Sequence, residues 1–306
     1  MDKVFDKDRA LEMGLMSGAS VAFGVFDGVH LGHRFLIDQA ISTAHETGGR
    51  SVALTFDIDP DERFHADRLK KLMTNQERFE ALSQTGVDAV VVLPFTPEFS
   101  SQGPRDFLES TFGGCVPAYL HVGSNFRFGR RASGNVDDLA YWGKDCGVEV
   151  MAHDLKSADG GPISATRIRC LLQEAHITQA NDLLGRPYSF SAQVVAGRGE
   201  GADMGFATAN LMLEDMRRVI PDGVYGSYVY VDGIRYKCAM SMGVAPSFEN
   251  ASAICEAHIL DFHDDIYGAT IRVEPVHFIN HLIKFESLDV LIPTVQGYIA
   301  WARENL

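Results

Sequence analysis

From Val21 to about Val150, short apolar runs rich in β-branched residues alternate with longer segments whose apolar positions recur at helical spacing. The runs Val21 to Phe26, Ser51 to Phe56, Ala89 to Phe95, Tyr119 to Gly123 and Val148 to Ala152 predict strands. Between them, Phe35 to Glu46, Asn75 to Thr85 and Pro104 to Thr111 predict helices. Strands that alternate with helices imply a parallel α/β sheet of the Rossmann-like kind.

The pattern changes after Leu183-Leu184-Gly185-Arg186-Pro187, where Gly and Pro mark a break. Gln193 to Ala196, Gly226 to Val231, Arg235 to Met242, Ala253 to Phe262 and Thr270 to Phe278 then predict strands separated by turn residues such as Asp232-Gly233, the pattern of an all-β barrel. A closing helix is expected from about Ser287 to Asn305. The expected domains are residues 1–185 and 186–306, with no internal repeat or low-complexity tract.

Composition narrows the function. The 306 residues, 46% apolar, suffice for two packed cores. The charged start and the lack of any apolar run near the ~18 residues needed to cross a bilayer argue against a secreted or membrane protein. Cys115, Cys146, Cys170, Cys238 and Cys255 are scattered and odd in number, which fits a reducing cytoplasm rather than a disulfide framework or structural zinc site. A net charge of -14 repels a phosphate backbone, so a nucleic-acid partner is not expected. Small anionic ligands remain open, because backbone amides, helix N-termini and Mg²⁺ act locally. The oligomeric state is not legible.

The segment from Gly24 to His33, GVFDGVHLGH, places a strand, a glycine turn and a helix start within ten residues. Its glycines allow close backbone approach to an anion, the helix start offers unpaired N–H groups, and His30 and His33 share one face of the first turn. Imidazoles there suit a phosphoryl group whose charge shifts during transfer; ordinary capping or solvated histidines are the plain alternative. HxGH after a strand and glycine turn resembles the nucleotidylyltransferase superfamily, and GxFDGxHxGH its FAD synthetase branch, which implies an α/β nucleotidylyltransferase domain. Ile163-Ser164-Ala165-Thr166-Arg167-Ile168-Arg169 is similar to the family's (I/V)SSTxIR apart from Ala165. The resemblance implies catalytic roles for His30, His33 and Arg169, and ATP and flavin contacts from Gly24, Phe26, Asp27, Gly28, Gly32, Asp57, Asn125, Ser164 and Thr166. Thr55 to Pro60 stands where the family has TFDPHP, and Val122 to Gly129 resembles VGxDFRFG; Ile58, Asp59, Val25 and Asn125 depart from those patterns.

The second half opens with Gly197, Gly199, Gly201 and Gly205 ahead of Thr208 and Asn210. Such a backbone can cradle phosphates while Thr208 and Asn210 offer oxygens to Mg²⁺; a glycine-rich hairpin without ligand is the alternative. The segment resembles the riboflavin kinase motif GxxxGRxLGxPTAN, Pro221 to Gly226 resembles PxGVYG, and Glu256 to Gly268 is similar to ExHxxDFxxDLYG. The resemblance implies Glu256 as the catalytic general base, flavin and nucleotide contacts at Gly197, Gly201, Gly205 and Asn210, and Mg²⁺ held by Thr208 and Asn210. Ala202, Ala207, Ala245 and Asn280 depart from the family pattern.

Together the resemblances imply a cytoplasmic bifunctional riboflavin kinase/FAD synthetase, using ATP, riboflavin and FMN as substrates with Mg²⁺ and yielding FAD. Two alternatives keep the N-terminal chemistry: an FMN adenylyltransferase whose barrel binds flavin without turnover, and a nucleotidylyltransferase for another phosphorylated acceptor. A flavin sensor with both sites silent is the non-enzymatic alternative.

Overall fold

The computed structural model describes residues 3–65, 70–197, 205–212, 219–244 and 253–306. The chain divides into two compact units, Met1–Arg167 and Ile168–Leu306.

The first unit holds strands β1 (Val4–Asp6), β2 (Ser20–Phe23), β3 (Ser51–Phe56), β4 (Ala89–Leu93), β5 (Tyr119–Gly123) and β6 (Glu149–His153) in one parallel sheet of order β1-β4-β3-β2-β5-β6. Helices α1 (Lys7–Glu12), α2 (Leu31–Thr47), α3 (Pro60–His65), α4 (Asn75–Ser83), α5 (Pro97–Ser100), α6 (Pro104–Phe112) and α7 (Val136–Cys146) surround it. Every residue of β2 and β3 is buried, as expected of a parallel sheet covered on both faces. Alternate residues feed separate cores: Val21, Phe23, Val52 and Leu54 pack with Phe107, Phe112 and Trp142, whereas Ala22 and Ala53 pack with Ile37, Ala40 and Leu82. A short hairpin, β7 (Ser157–Ala158) with β8 (Gly161–Pro162), follows the sheet.

The five expected strands of this unit form with shifts of up to three residues at their ends. The edge strand β1 escaped the pattern, because three residues in a charged segment carry no periodicity; Val4 and Phe5 are apolar where they meet Val90 and Val91. Helix α7 carried a legible signal that periodicity alone did not use: Asn135 and Asp138 form a capping box, and Gly147 closes the helix at φ 75°.

The second unit contains α8 (Ala165–Gln173) from its fourth residue, α9 (Ile177–Leu184), and a closed antiparallel barrel of β9 (Phe190–Val195), β10 (Ala209–Met212), β11 (Gly223–Val231), β12 (Ile234–Val244), β13 (Ala253–Ile259) and β14 (Thr270–Asn280), in the order β10-β13-β12-β11-β14-β9. Gly185, at φ 71°, ends α9, so the Gly-Pro break marks a helix end, while the division between the units falls within α8. The closing helix α10 (Leu288–Asn305) packs by Trp301 onto Gly226, where a Cβ would overlap the indole, and its end is tied by Tyr228 Oη to the Leu306 carbonyl at 2.7 Å. Strand β10 was hidden in the sequence by the glycine-rich stretch before it.

Candidate active sites

Strands β2, β3 and β4 run to one side of the first sheet and β5 and β6 to the other, so the chain reverses direction between β2 and β5. Open α/β sheets bind ligands beyond the carboxyl ends of their strands at such a point. A cavity of about 530 Å³ lies there, lined by Phe23 and Gly24 after β2, Phe56 at the end of β3, Gly123 and Asn125 after β5, and His153 at the end of β6.

The two histidines of the HxGH segment enter this cavity by different routes. His30 is the N-cap of α2: its Nδ1 accepts the His33 backbone N–H at 3.2 Å, which leaves the proton of the neutral ring on Nε2. The His33 ring stacks on His30 with centroids 3.6 Å apart and meets Phe26 edge-on. Burial, reinforced by His30 and Arg78, holds the His33 imidazole well below its ordinary pKa, so it is neutral at pH 7. Its Nδ1 is buried with no partner among the described residues. The turn feeding these rings is strained: Phe26 at φ 60° and Val29 at φ 38° occupy the left-handed region beside Gly28 at φ 78°.

Gly32 accounts for the glycine of the motif. A Cβ there would lie 3.1 Å from the carbonyl oxygen of Ile163 and 3.1 Å from His30 Cε1, so its absence lets the second motif come against the first. Ile163, Ser164 and Ala165 line the cavity, and Ser164 Oγ accepts the Arg167 N–H at 3.2 Å at the start of α8. Arg167 is turned away to the β7–β8 hairpin, donating to the carbonyls of Ala158 at 2.6 Å and Gly161 at 3.0 Å. Thr166, the second residue of α8, does not line the cavity, and Arg169 lies beyond the division between the units.

Three carboxylates of these segments bond backbone N–H groups. The Asp27 carboxylate, 5% exposed, accepts the Leu72 N–H at 3.1 Å. Asp57 Oδ1 accepts the N–H groups of Ile58 and Phe95, both at 2.8 Å, and so ties the segments after β3 and β4. Asp59, buried, accepts the Asp61 N–H at the start of α3. Neither Asp27, Gly28 nor Asp57 lines the cavity, whereas Gly24, Phe26 and Asn125 do.

Sequence reasoning missed a third imidazole. His153 lines the cavity, and its Nε2 lies 2.9 Å from Nδ1 of fully buried His121, whose Nε2 is 3.1 Å from Ser20 Oγ. Burial, then the charge of His153, pushes the His121 pKa down to about 4, and burial lowers that of His153. No motif announces a pair 32 positions apart; only the register of His121 near the end of β5 and His153 at the end of β6 creates it.

In the barrel, Asn210 of β10 stands opposite Glu256 of β13, and Glu256 opposite Ser241 of β12, so the three share one face. Cys255, Ala257 and Ile259 fill the interior, which directs Glu256 outward. Gly197 closes on the same place: a Cβ there would overlap the Asn210 amide. His258 Nδ1 bonds the Ala207 carbonyl at 2.8 Å and pins the residue before Thr208. Gly205 turns at φ 87°, and Gly201 lies outside the described residues. Among the described residues no three His, Cys, Asp or Glu side chains are grouped so that they could hold a metal ion. A divalent ion here would draw one or two oxygens from Thr208 and Asn210 and the rest from phosphate and water, the habit of Mg²⁺.

An α/β unit with paired imidazoles at a helix N-terminus, followed by a closed barrel with a glycine-framed Asn and Glu, defines a two-domain transferase of nucleotidyltransferase and kinase type. A FAD synthetase family model matches residues 14–167 and a riboflavin kinase family model residues 184–306. Relatives named bifunctional riboflavin kinase/FMN adenylyltransferase include those of Listeria monocytogenes, 32% identical over 90% of this chain and 88% of its own, and Haemophilus influenzae, 32% identical over 94% of each. The chain belongs to the bifunctional riboflavin kinase/FMN adenylyltransferase family. A solved structure described as a macrolide-efflux protein from Streptococcus pneumoniae matches 94% of each chain at 30% identity with a TM-score of 0.82. Among the described residues no helix is long and apolar enough to cross a membrane.

Proposed function

We propose that this chain converts riboflavin to FMN in its barrel and FMN to FAD in its α/β unit, as a cytoplasmic enzyme using Mg·ATP. The observation that carries the reading is the stacked His30–His33 pair at the start of α2, brought by Gly32 against the Ile163–Ser164 backbone in a cavity at the strand ends.

In the α/β unit, an oxygen of the FMN phosphate attacks the α-phosphorus of ATP. A new P–O bond forms there, the bond from that phosphorus to the α,β-bridging oxygen breaks, and pyrophosphate leaves with the electron pair. His30 Nε2–H and the His33 ring stabilise the non-bridging oxygens as charge moves across them, which is the main contribution an enzyme makes to such a transfer. Ser164, the backbone around Ala165, and Arg169 hold the triphosphate. Phe23, Phe56, Phe126 and Phe128 supply an apolar wall for the isoalloxazine ring. In the barrel, Glu256 takes the proton of the ribityl 5′-hydroxyl as its oxygen attacks the γ-phosphorus and ADP leaves. Mg²⁺ held near Thr208 and Asn210 supplies neutralisation of phosphate charge.

The test is incubation of the purified chain with Mg·ATP and either riboflavin or FMN, followed by chromatographic separation of riboflavin, FMN and FAD. FMN and FAD from riboflavin are expected. FAD from FMN but no turnover of riboflavin restricts activity to the α/β unit, and no FAD from either overturns the assignment.

A further inference from the structure

We propose that Arg78 is a positioning residue of the adenylylation site, its buried guanidinium tying the carbonyls after β2 and at the end of β3 together so that the HxGH turn is held in its strained form. The inference rests on the functional reading of that site given above. Arg78 lies on α4 and is 2% exposed. Its Nη1 donates to the Val25 carbonyl at 2.9 Å, and its Nη2 donates to the Phe56 carbonyl at 2.6 Å and to Asn75 Oδ1 at 3.2 Å. Thr55 Oγ1 donates to the same Val25 carbonyl at 3.0 Å.

Val25 sits between Gly24 and Phe26 on the cavity wall, and the chain turns left-handed at the next residue. Such a non-glycine residue persists only where its surroundings over-determine it. A planar guanidinium can reach two carbonyls on two strand ends at once, which an ammonium cannot do in the same geometry. Stability alone does not explain the choice. Nε of Arg78 is buried with no partner among the described residues, and a buried cation is costly beside an apolar side chain of similar volume.

The charge also reaches the histidines. Arg78 is one of the groups, after burial and His30, that hold His33 neutral. Burial lowers the Arg78 pKa from its ordinary value, and the charges of Asp59, Asp27, Glu62 and Asp57 oppose that shift; Glu62 is itself paired with Lys71. Arg78 thus adds to the neutrality of His33 while its hydrogen bonds hold the backbone on which the HxGH turn begins.

The experiment uses the full chain with Arg78→Met and Arg78→Lys. With no substrate present, the His33 imidazole is titrated by NMR on histidine-labelled protein; with substrate, kcat and KM are measured for FMN adenylylation, with a thermal melt of the full chain as the folding control. Arg78→Met is expected to raise the His33 pKa, since loss of a nearby cation favours the imidazolium. It should lower the adenylylation kcat about 100-fold, the effect of displacing a catalytic group by roughly 1 Å, with KM for ATP little changed. Arg78→Lys should keep the low His33 pKa while recovering only part of kcat, and serves in place of the Met variant if that variant does not fold. An unmoved His33 titration together with an adenylylation kcat within threefold of the parent overturns the proposal. If the parent chain makes no FAD, the functional reading falls while the His33 titration still judges Arg78.

Discussion

The carbonyl oxygen of Ile163 stands 3.1 Å from where a Cβ on Gly32 would be, so the two motifs, 131 positions apart in sequence, meet at a point where only glycine fits without a shift. Gly32→Ala gains up to about 1 kcal/mol of helix propensity, since Gly32 is the second residue of α2. It also forces Ile163 or His30 to move by a few tenths of an ångström. Thermal stability should therefore be held or slightly raised, while kcat/KM for FMN adenylylation falls about 10-fold to 100-fold. A thermal melt and an FAD-forming assay on the same preparation check both halves.

His30 has a structural and a chemical role, and substitutions separate them. His30→Ala removes the cap on the His33 N–H and should cost about 1 kcal/mol as well as activity. His30→Asn supplies a good N-cap, so denaturant unfolding should recover most of the stability, while FAD formation stays orders of magnitude below that of the parent. Recovery of activity with the cap would reduce His30 to a capping residue.

The Ser20–His121–His153 chain makes stability depend on pH. His121 is neutral in the fold with a pKa of about 4, against 6.5 for an unperturbed ring, so the unfolded chain binds the extra proton. That contribution is intact above pH 6.5 and is lost as pH falls from 6.5 towards 4. The melting temperature should drop through that window, and the slope should be shallower in His121→Gln, which cannot titrate. Equal slopes in the two proteins would contradict the assignment.

Gly197→Ala drives a methyl into the Asn210 amide, and Glu256→Gln removes the proposed base from the same strand face. Both should abolish most FMN formation from riboflavin while leaving FAD formation from FMN within about twofold, because the two reactions are assigned to separate compact units, each with its own core. Parallel assays of the two steps read the difference directly.

Much of this was legible before any coordinate. Strand runs, the Gly-Pro break, and the order HxGH, then ISATRIR, then a glycine-rich Thr-Asn segment, then a late Glu each depend on local chemistry, and local periodicity and turn residues write themselves into consecutive positions. The roles of Asp27, Asp57 and Asp59 were harder to read, since a carboxylate beside a motif looks the same whether it faces a ligand or, as Asp57 does, two backbone N–H groups.

The amino-acid sequence by itself determined the two fold classes, the histidine pair and the glutamate, because each is a pattern within a few turns of chain. Only the tertiary structure decided that Gly32 meets Ile163, that His121 reaches His153, that Arg78 bonds the carbonyls of Val25 and Phe56, and that Gly197, Asn210 and Glu256 share one place on the barrel. Those contacts join residues from 13 to 131 positions apart, and such pairing is set by strand order and register, which packing of the whole core selects and no local pattern encodes.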